Sequence, residues 1–216
     1  MIKNKSKIVL ITSDLYPGGS QRVCVNLSNE LSNTHYVDLI VIGKNLKLLN
    51  KINKKVNVII LGFNRVSFSF FDLFMYFFKN KTTNVISFLN HTNFICMLLK
   101  FFFSFNLIIT IHNVVKPPSK NKNYKNKIIF FLSKFLFNKA NHIISVANYV
   151  KNDLKKNFKI KPKTIYNPVI YKKKFDKKLN GKNFLKKNRL NNKNYLLHIG
   201  TFDEQKNHMF LLEFFK

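Results

Sequence analysis

Residues 7–31 read KIVLITSDLYPGGSQRVCVNLSNEL, and this stretch decides the fold class. The apolar run Lys7–Thr12 predicts a strand, and a short loop with the tandem glycines Gly18 and Gly19 follows it. Ser20 is placed to cap the helix that comes next. The apolar residues of that helix recur at helical spacing, at Val23, Leu27 and Leu31. This order of strand, glycine turn and helix predicts the start of a parallel α/β sheet.

The same alternation continues to about residue 170. Further apolar runs predict strands at residues 37–42, 56–61, 84–89, 107–111 and 142–146. Helical patterns between and after them predict helices at residues 68–79, 92–103, 124–138 and 147–158. We therefore expect residues 1–170 to form one α/β domain with a doubly wound, mostly parallel sheet.

The pattern changes after residue 170. Residues 171–194 are strongly basic and have almost no apolar periodicity, which indicates a linker. A strand is predicted at Tyr195–Gly200 and the opening of a helix at Gln205–Lys216. Because one strand and one helix cannot bury a core, residues 195–216 are expected to be the start of an incomplete second domain.

The composition is that of a folded protein with a large excess of positive charge. The 216 residues carry a formal net charge of +29, are 46% hydrophobic and include 24 Phe. Lys, Asn, Ile and Phe all have A/T-rich codons, so part of the charge reflects codon bias. Basic stretches such as residues 172–174 lack regularly interleaved aromatic residues, so no nucleic-acid partner is predicted. An attraction for anionic lipid remains.

Several features bear on the compartment. Cys24 and Cys96 lie in apolar stretches far apart in sequence, which predicts free buried thiols in a reducing cytosol. No secretory signal is predicted, and Lys100 interrupts the most apolar long stretch. We expect a cytoplasmic protein. Its Phe-rich helices either cover the sheet or make peripheral contact with an anionic membrane at the inner face of the plasma membrane.

Two patterns suggest phosphate chemistry. The Gly18–Gly19 turn lets backbone N–H groups approach an anion at a helix N-terminus, although a purely structural turn explains it equally well. Neither a GxGxxG fingerprint nor a GxxxxGK[ST] loop is present. Lys206 is predicted in the first turn of a helix, where a cation is unfavourable unless it meets an anion such as a diphosphate. The alternative is a solvated lysine.

Taken in order along the chain, these motifs and several others resemble those of the family 4 glycosyltransferases. The matching segments are PGGSQRV (17–23), VNLSNEL (25–31), VISFLNHTN (85–93), TIHN (110–113), ISV (144–146), IYNPV (165–169), HIG (198–200) and QKNH (205–208). The resemblance implies a GT-B fold of two facing Rossmann-like domains, a retaining mechanism and a nucleotide-sugar donor in the cleft. Residues 1–170 would be the N-terminal domain.

The resemblance also implies roles for single residues. Gly18 and Gly19 would face the donor diphosphate or the acceptor, and His91 would lie beside the transferred sugar. His91 as a structural residue is the alternative. Lys206 would neutralise the diphosphate as the nucleotide leaves. The remaining donor- or acceptor-binding candidates are His112, Asn113, Gly200 and Thr201. Of these, His112 is as well explained by packing on the cleft floor.

The resemblance implies that the chain moves a sugar from a nucleotide-sugar to a lipid-linked oligosaccharide or a surface polysaccharide. No metal or other cofactor is expected, because the sequence has no Asp-x-Asp motif. Thr201 stands where the family commonly has an Arg, and the family's acidic C-terminal motif would lie beyond Lys216. We therefore expect a truncated form. The alternative is an inactive remnant, or an acceptor-binding subunit that needs a separate C-terminal half.

Overall fold

The computed structural model describes residues 6–114, 124–168, 186, 188, 197–202 and 206–215. Of residues 124–127, 129 and 130 it describes the backbone only. The chain divides into two compact units, Met1–Val169 and Ile170–Lys216. The linker predicted at 171–194 lies outside the described residues except for Lys186 and Asn188.

A single parallel sheet forms the centre of the first unit. Its described strands are β1 Lys7–Thr12, β2 Tyr36–Val41, β3 Asn57–Ile60, β4 Asn84–Phe88, β5 Asn106–Ile111, β6 His142–Ser145 and β7 Lys163–Thr164. They lie in the order β3-β2-β1-β4-β5-β6-β7, and every neighbouring pair is parallel. The predicted doubly wound parallel sheet is confirmed. The short β7 extends it by one strand beyond the six predicted.

Helices cover both faces of this sheet. In the first unit the described helices are α1 Gly19–Leu31, α2 Phe70–Lys79, α3 Asn90–Leu99, α4 Tyr124–Leu136 and α5 Asn148–Phe158. One core lies under α1 and the other under α2 to α5. Cys24 and Cys96 belong to these two cores and are free, as predicted. None of the helices within the described residues is long and apolar enough to cross a membrane.

The prediction for α1 was wrong in two details. Ser20 is not a cap: it is the second residue of the helix, and Gly18 occupies the cap position without a side-chain hydrogen bond. The fully buried residues of α1 include Cys24, Val25 and Ser28. The predicted stripe of Val23, Leu27 and Leu31 is only partly buried at the edge of the core. Small residues therefore face the sheet, which lets α1 pack closely against it.

The boundaries of α3 also differ from the prediction. The helix begins at Asn90 because Leu89 has φ +73°, a left-handed conformation that ends β4 abruptly. It ends at Leu99, whereas the apolar pattern had predicted Phe103. Phe101 and Phe102 are therefore not helical, and both are exposed.

A buried polar network joins the amino-terminal ends of the strands. The Asp38 carboxylate accepts hydrogen bonds from Tyr76 and from Asn57 Nδ2 (2.9 Å), and Lys7 Nζ lies 2.8 Å from Asp38 Oδ2. Burial by itself raises the pKa of Asp38, but the hydrogen bonds from Lys7, Tyr76 and Asn57 outweigh it and hold the pKa below its usual value. This network belongs to the scaffold and lies at the opposite edge from the candidate site.

The second unit differs from its prediction. The strand predicted at Tyr195–Gly200 is not found, because its described part, Leu197–Gly200, has no regular structure. The helix predicted to begin at Gln205 is shorter: α6 spans His208–Phe214. None of the described residues between 197 and 215 is buried. The apolar side chains of α6 are thus largely exposed, as expected for an element without a core.

Candidate functional site

The order in which the chain adds strands to the sheet reverses between β1 and β4. From β1 the chain adds β2 and then β3 on one side, and it returns through α2 to place β4 on the other side. The loops that leave the carboxyl ends of β1 and β4 therefore diverge to opposite faces. Open α/β sheets bind ligands in the crevice that such a divergence creates. Gly18 and Gly19 follow β1, His91 follows β4, and His112 follows β5 directly beyond it.

The β1–α1 loop is held by a carboxylate that the sequence reading had left without a role. Asp14 Oδ1 accepts hydrogen bonds from the Tyr16 backbone N (2.8 Å) and from Gln21 Nε2 (3.0 Å), and Ser20 Oγ donates to Gln21 Oε1 (2.8 Å). Gln21 lies over Gly18, where an added Cβ would be 2.5 Å from Gln21 Oε1. Local packing therefore explains the glycine at position 18, because Gln21 occupies the place of a side chain.

Gly19 lies in a different environment. A Cβ added there would meet nothing within 4 Å, so the backbone at the start of α1 faces open space. The first N–H groups of a helix have no partner within the helix and favour an anion. Of the two glycines, Gly19 is the one whose surroundings leave room for a ligand.

His91 lies in the first turn of α3 and is exposed. It lines a mainly apolar cavity of about 590 Å³ together with Arg65, Phe70, Phe94 and other residues of α3 and the turn before α2. No hydrogen bond or ion pair within the described residues engages the side chain of His91 or of Arg65. The His91 imidazole and the Arg65 guanidinium are therefore available to a ligand in this cavity.

His112 is held in one defined state. Thr110 Oγ1 donates its only proton to the Ser87 backbone O (3.0 Å), so it must accept at its contact with His112 Nε2 (3.1 Å). His112 consequently carries its proton on Nε2. Burial lowers the pKa of His112 to about 4, so the ring is neutral at physiological pH. Its Nδ1 lone pair is buried and has no hydrogen-bond partner among the residues that the structure describes.

Two residues of α3 share this feature. Asn93 Nδ2 donates to the Thr110 backbone O (2.9 Å), but Asn93 Oδ1 and Thr92 Oγ1 have no hydrogen-bond partner within the described residues. Buried polar atoms are nearly always paired, so these atoms, in the segments that follow β4 and β5, form a candidate site for binding hydroxyl groups. Thr92 and Asn93 belong to the motif at residues 85–93, but no role could be assigned to them from their place in it.

The second unit brings together the residues predicted there. A Cβ added at Gly200 would lie 3.1 Å from Lys206 Cγ, so the lysine side chain packs over this glycine. His208 Nε2 contacts the Thr201 backbone O at 2.8 Å. Lys206 lies in a 3-10 helical turn, and α6 begins two residues later, after Asn207 in a left-handed conformation. Asn113, the remaining candidate, is exposed after β5.

Comparison with known proteins identifies the family. The family model of Glycosyltransferase Family 4 matches residues 17–172, so the chain belongs to this family, and the matched part is its N-terminal domain. No curated protein matches the chain.

Solved structures share the fold. Anabaena HepE, crystallised with UDP and glucose, is 13% identical with a TM-score of 0.57, and the match covers 75% of this chain and 44% of HepE. Sucrose-phosphate synthase from Thermosynechococcus elongatus is 14% identical with a TM-score of 0.58, covering 75% and 48%. A glycosyltransferase from Rickettsia africae is 19% identical with a TM-score of 0.54, covering 76% and 43%. The first unit is thus one half of a GT-B fold, and the chain spans less than half the length of these proteins.

Proposed function

We propose that this chain serves a retaining glycosyltransferase that moves a sugar from a nucleotide-sugar to a lipid-linked oligosaccharide or a surface polysaccharide. Membership of Glycosyltransferase Family 4 supports the reaction class. The observation that carries the proposal is that His112 Nδ1, Asn93 Oδ1 and Thr92 Oγ1 are buried and unpaired within the described residues, in the segments that follow β5 and β4. A sugar presents several hydroxyl donors that such acceptors would bind.

The two histidines take different roles. His112, neutral and fixed by Thr110, accepts a hydrogen bond from a sugar hydroxyl through Nδ1. It is not a general acid at neutral pH, because its pKa of about 4 leaves it without a second proton. His91 lies beside the transferred sugar, at the mouth of the apolar cavity.

Backbone groups and a lysine balance the charge of the diphosphate. The N–H groups at the open Gly19 face the diphosphate or the acceptor. Gly200, Thr201 and Lys206 contribute from the second unit, with Lys206 as the cation that stabilises the departing nucleotide. Within the described ranges no three His, Cys, Asp or Glu side chains lie close enough to hold a metal ion. The proposal requires none.

The cavity beside His91 favours a lipid-linked acceptor. Its lining is mainly apolar, from Phe70, Phe94, Ile95 and Leu98, and Arg65 provides a cation at the rim. An amphiphile with an apolar chain and a phosphate matches this combination. A polysaccharide, which is polar throughout, would leave the apolar walls unused.

The test is a calorimetric titration of the 216-residue chain with UDP-glucose, the compound present in one HepE crystal structure. We expect binding that His112→Ala weakens at least about tenfold, the effect of losing one buried hydrogen bond to a ligand. His142→Ala is the matched control, because His142 is exposed at the other edge of the sheet. Equal affinities of both variants would contradict the role of His112. If product forms, NMR of its anomeric proton tests retention.

An acceptor-binding subunit without its own transferase activity is the second candidate. The lack of any buried residue among those described between 197 and 215 favours it, because a donor site there would have no rigid support. A chain that binds a lipid-linked acceptor but neither UDP nor UDP-glucose would support this candidate over the first.

A further inference from the structure

Helix α2 is apolar on two opposite sides. Leu73 and Phe77 point into the core and are buried. The outward side carries Phe71, Met75 and Phe78, and Phe68 continues the same row in the turn before the helix. Spacings of three and four place these four residues on one side. The exposed Asp72 and Lys79 interrupt this side of the helix, but large apolar side chains on a helix are normally covered, and within the described residues those of this row are not.

Two further aromatic residues enlarge the exposed row. The Phe102 ring lies 5.5 Å from that of Phe74 and 6.4 Å from that of Phe70, so it packs against α2. Phe101 is next to it in sequence. We call the six residues Phe68, Phe71, Met75, Phe78, Phe101 and Phe102 the aromatic surface. Each is 47% to 76% exposed. Apolar patches of this kind on a protein surface mark a binding site for another molecule or a membrane.

Positive charge exceeds negative charge around this surface, where Asp72 of α2 is an exposed carboxylate. Lys139 Nζ lies 4.5 Å from the centre of the Phe101 ring. Lys139 is also close to Lys100, whose pKa is lowered by burial and by the charge of Lys139. Lys79 and Lys81 follow the outward row at the end of α2. Between residues 39 and 152 the sequence has 17 Lys and Arg but one acidic residue, Asp72.

We propose that the aromatic surface docks on an anionic lipid bilayer, with its Phe side chains in the interface and the surrounding lysines on the headgroups. Exposed aromatic residues ringed by lysines and almost free of carboxylates are the pattern of an interfacial membrane contact. A second copy of the chain is a poorer occupant, because two surfaces of the same positive charge repel each other. This proposal is independent of donor or acceptor chemistry.

The structure separates two alternatives that the sequence left open for the Phe-rich segments 68–79 and 92–103, covering the sheet or contacting a membrane. Most of α3 is buried against the sheet, and of segment 92–103 only Phe101 and Phe102 are large exposed apolar residues. The docking row therefore belongs to α2, with a contribution from the turn after α3.

The test measures sedimentation of the full chain with vesicles of phosphatidylcholine alone and of phosphatidylcholine mixed with phosphatidylglycerol. We expect binding to the anionic vesicles that weakens as NaCl rises. The double variant Phe71→Ser/Phe78→Ser should bind the anionic vesicles at least about tenfold more weakly, because two interfacial aromatic side chains are lost. Lys79→Gln/Lys81→Gln should weaken binding to anionic vesicles and leave binding to neutral vesicles unchanged.

Phe214→Ser/Phe215→Ser is the matched control, because these residues of the second unit are similarly exposed, at 71% and 61%. Equal binding to neutral and anionic vesicles, or equal losses in both double variants, would overturn the proposal. Sedimentation without lipid covers the other occupant: self-association that Phe71→Ser/Phe78→Ser abolishes would assign the surface to a second copy and overturn it as well. Circular dichroism confirms that each variant is folded.

Discussion

Asn93 Nδ2 donates a hydrogen bond to the backbone O of Thr110 at 2.9 Å, and this contact ties the helix that carries His91 to the strand that precedes His112. Asn93 and Thr110 are both buried. The bond crosses from α3 to β5, so it fixes the spacing of the two loops at the candidate site. It also orients Asn93 Oδ1, which has no hydrogen-bond partner within the described residues.

Replacing Asn93 with Leu should lower the free energy of unfolding by about 1–3 kcal/mol, because the buried Thr110 carbonyl loses its partner. Urea denaturation measures the change. Asn138→Leu, at an exposed position, is the control and should cost less than about 0.5 kcal/mol. Similar losses in both variants would mean that the hydrogen bond does not stabilise the fold.

His112 should make the protein less stable as pH falls from about 6.5 to 4. Burial lowers the pKa of His112 to about 4, whereas the unfolded chain titrates near 6.5, so between these values only the unfolded state binds the proton. Protonation therefore favours unfolding, by up to about 3 kcal/mol at pH 4. Urea denaturation between pH 4 and 7 should show a smaller pH dependence for His112→Gln, whereas His142→Gln should keep the wild-type dependence.

Asp38 should add a second loss of stability at lower pH. Its pKa lies below the usual value of about 3.9, because the hydrogen bonds from Lys7, Tyr76 and Asn57 outweigh the effect of burial. The stabilisation is present above that value and disappears as the carboxylate is protonated on acidification. Asp38→Asn should cost about 2 kcal/mol at neutral pH and flatten the profile in this range. An unchanged acid profile in Asp38→Asn would contradict this assignment.

Gly18 and Gly19 should respond differently to Ala. At Gly18 the new Cβ would lie 2.5 Å from Gln21 Oε1, so Gln21 must leave Asp14, at a cost of about 1 kcal/mol. At Gly19 the Cβ meets nothing within 4 Å, and stability should stay equal or rise slightly. Thermal unfolding separates the two. If Gly19 approaches the diphosphate, Gly19→Ala should bind UDP-glucose more weakly although it is fully folded.

The second unit should exchange its amide hydrogens much faster than the sheet. Every described side chain of α6 is at least partly exposed, and a seven-residue helix is unstable without packing. Hydrogen exchange followed by mass spectrometry should show α6 far less protected than β1. Protection of α6 equal to that of β1 would show that it packs on a surface that stabilises it.

The sequence alone predicted most of the elements, because a strand or an amphipathic helix is encoded in the spacing of neighbouring residues. Lys7–Thr12 was predicted without error, and the bounds of the other five strands predicted in the first unit differ by at most one residue at each end. By contrast, β7 was not predicted as a strand, and the described part of residues 195–200 is not one. The family resemblance likewise depends on short local motifs such as residues 17–23 and 110–113, and the family comparison confirms it. Errors occurred where local signals conflict with long-range packing, as at Ser20, which resembles a cap but is buried inside α1.

Only the tertiary structure decided which of these residues act together. The placement of β4 beside β1 depends on hydrogen bonds between segments more than 70 residues apart, and this pairing brings the loops with Gly19 and His91 to neighbouring strand ends. The unpaired state of His112 Nδ1 follows from the burial of the ring and from the proton that Thr110 donates to Ser87. Hydrophobic spacing marked α2 as helical, but a helix with large apolar residues on two sides does not reveal which of these sides faces outward. That side was determined by packing against the sheet, which buried Phe77 and left Phe71 and Phe78 exposed.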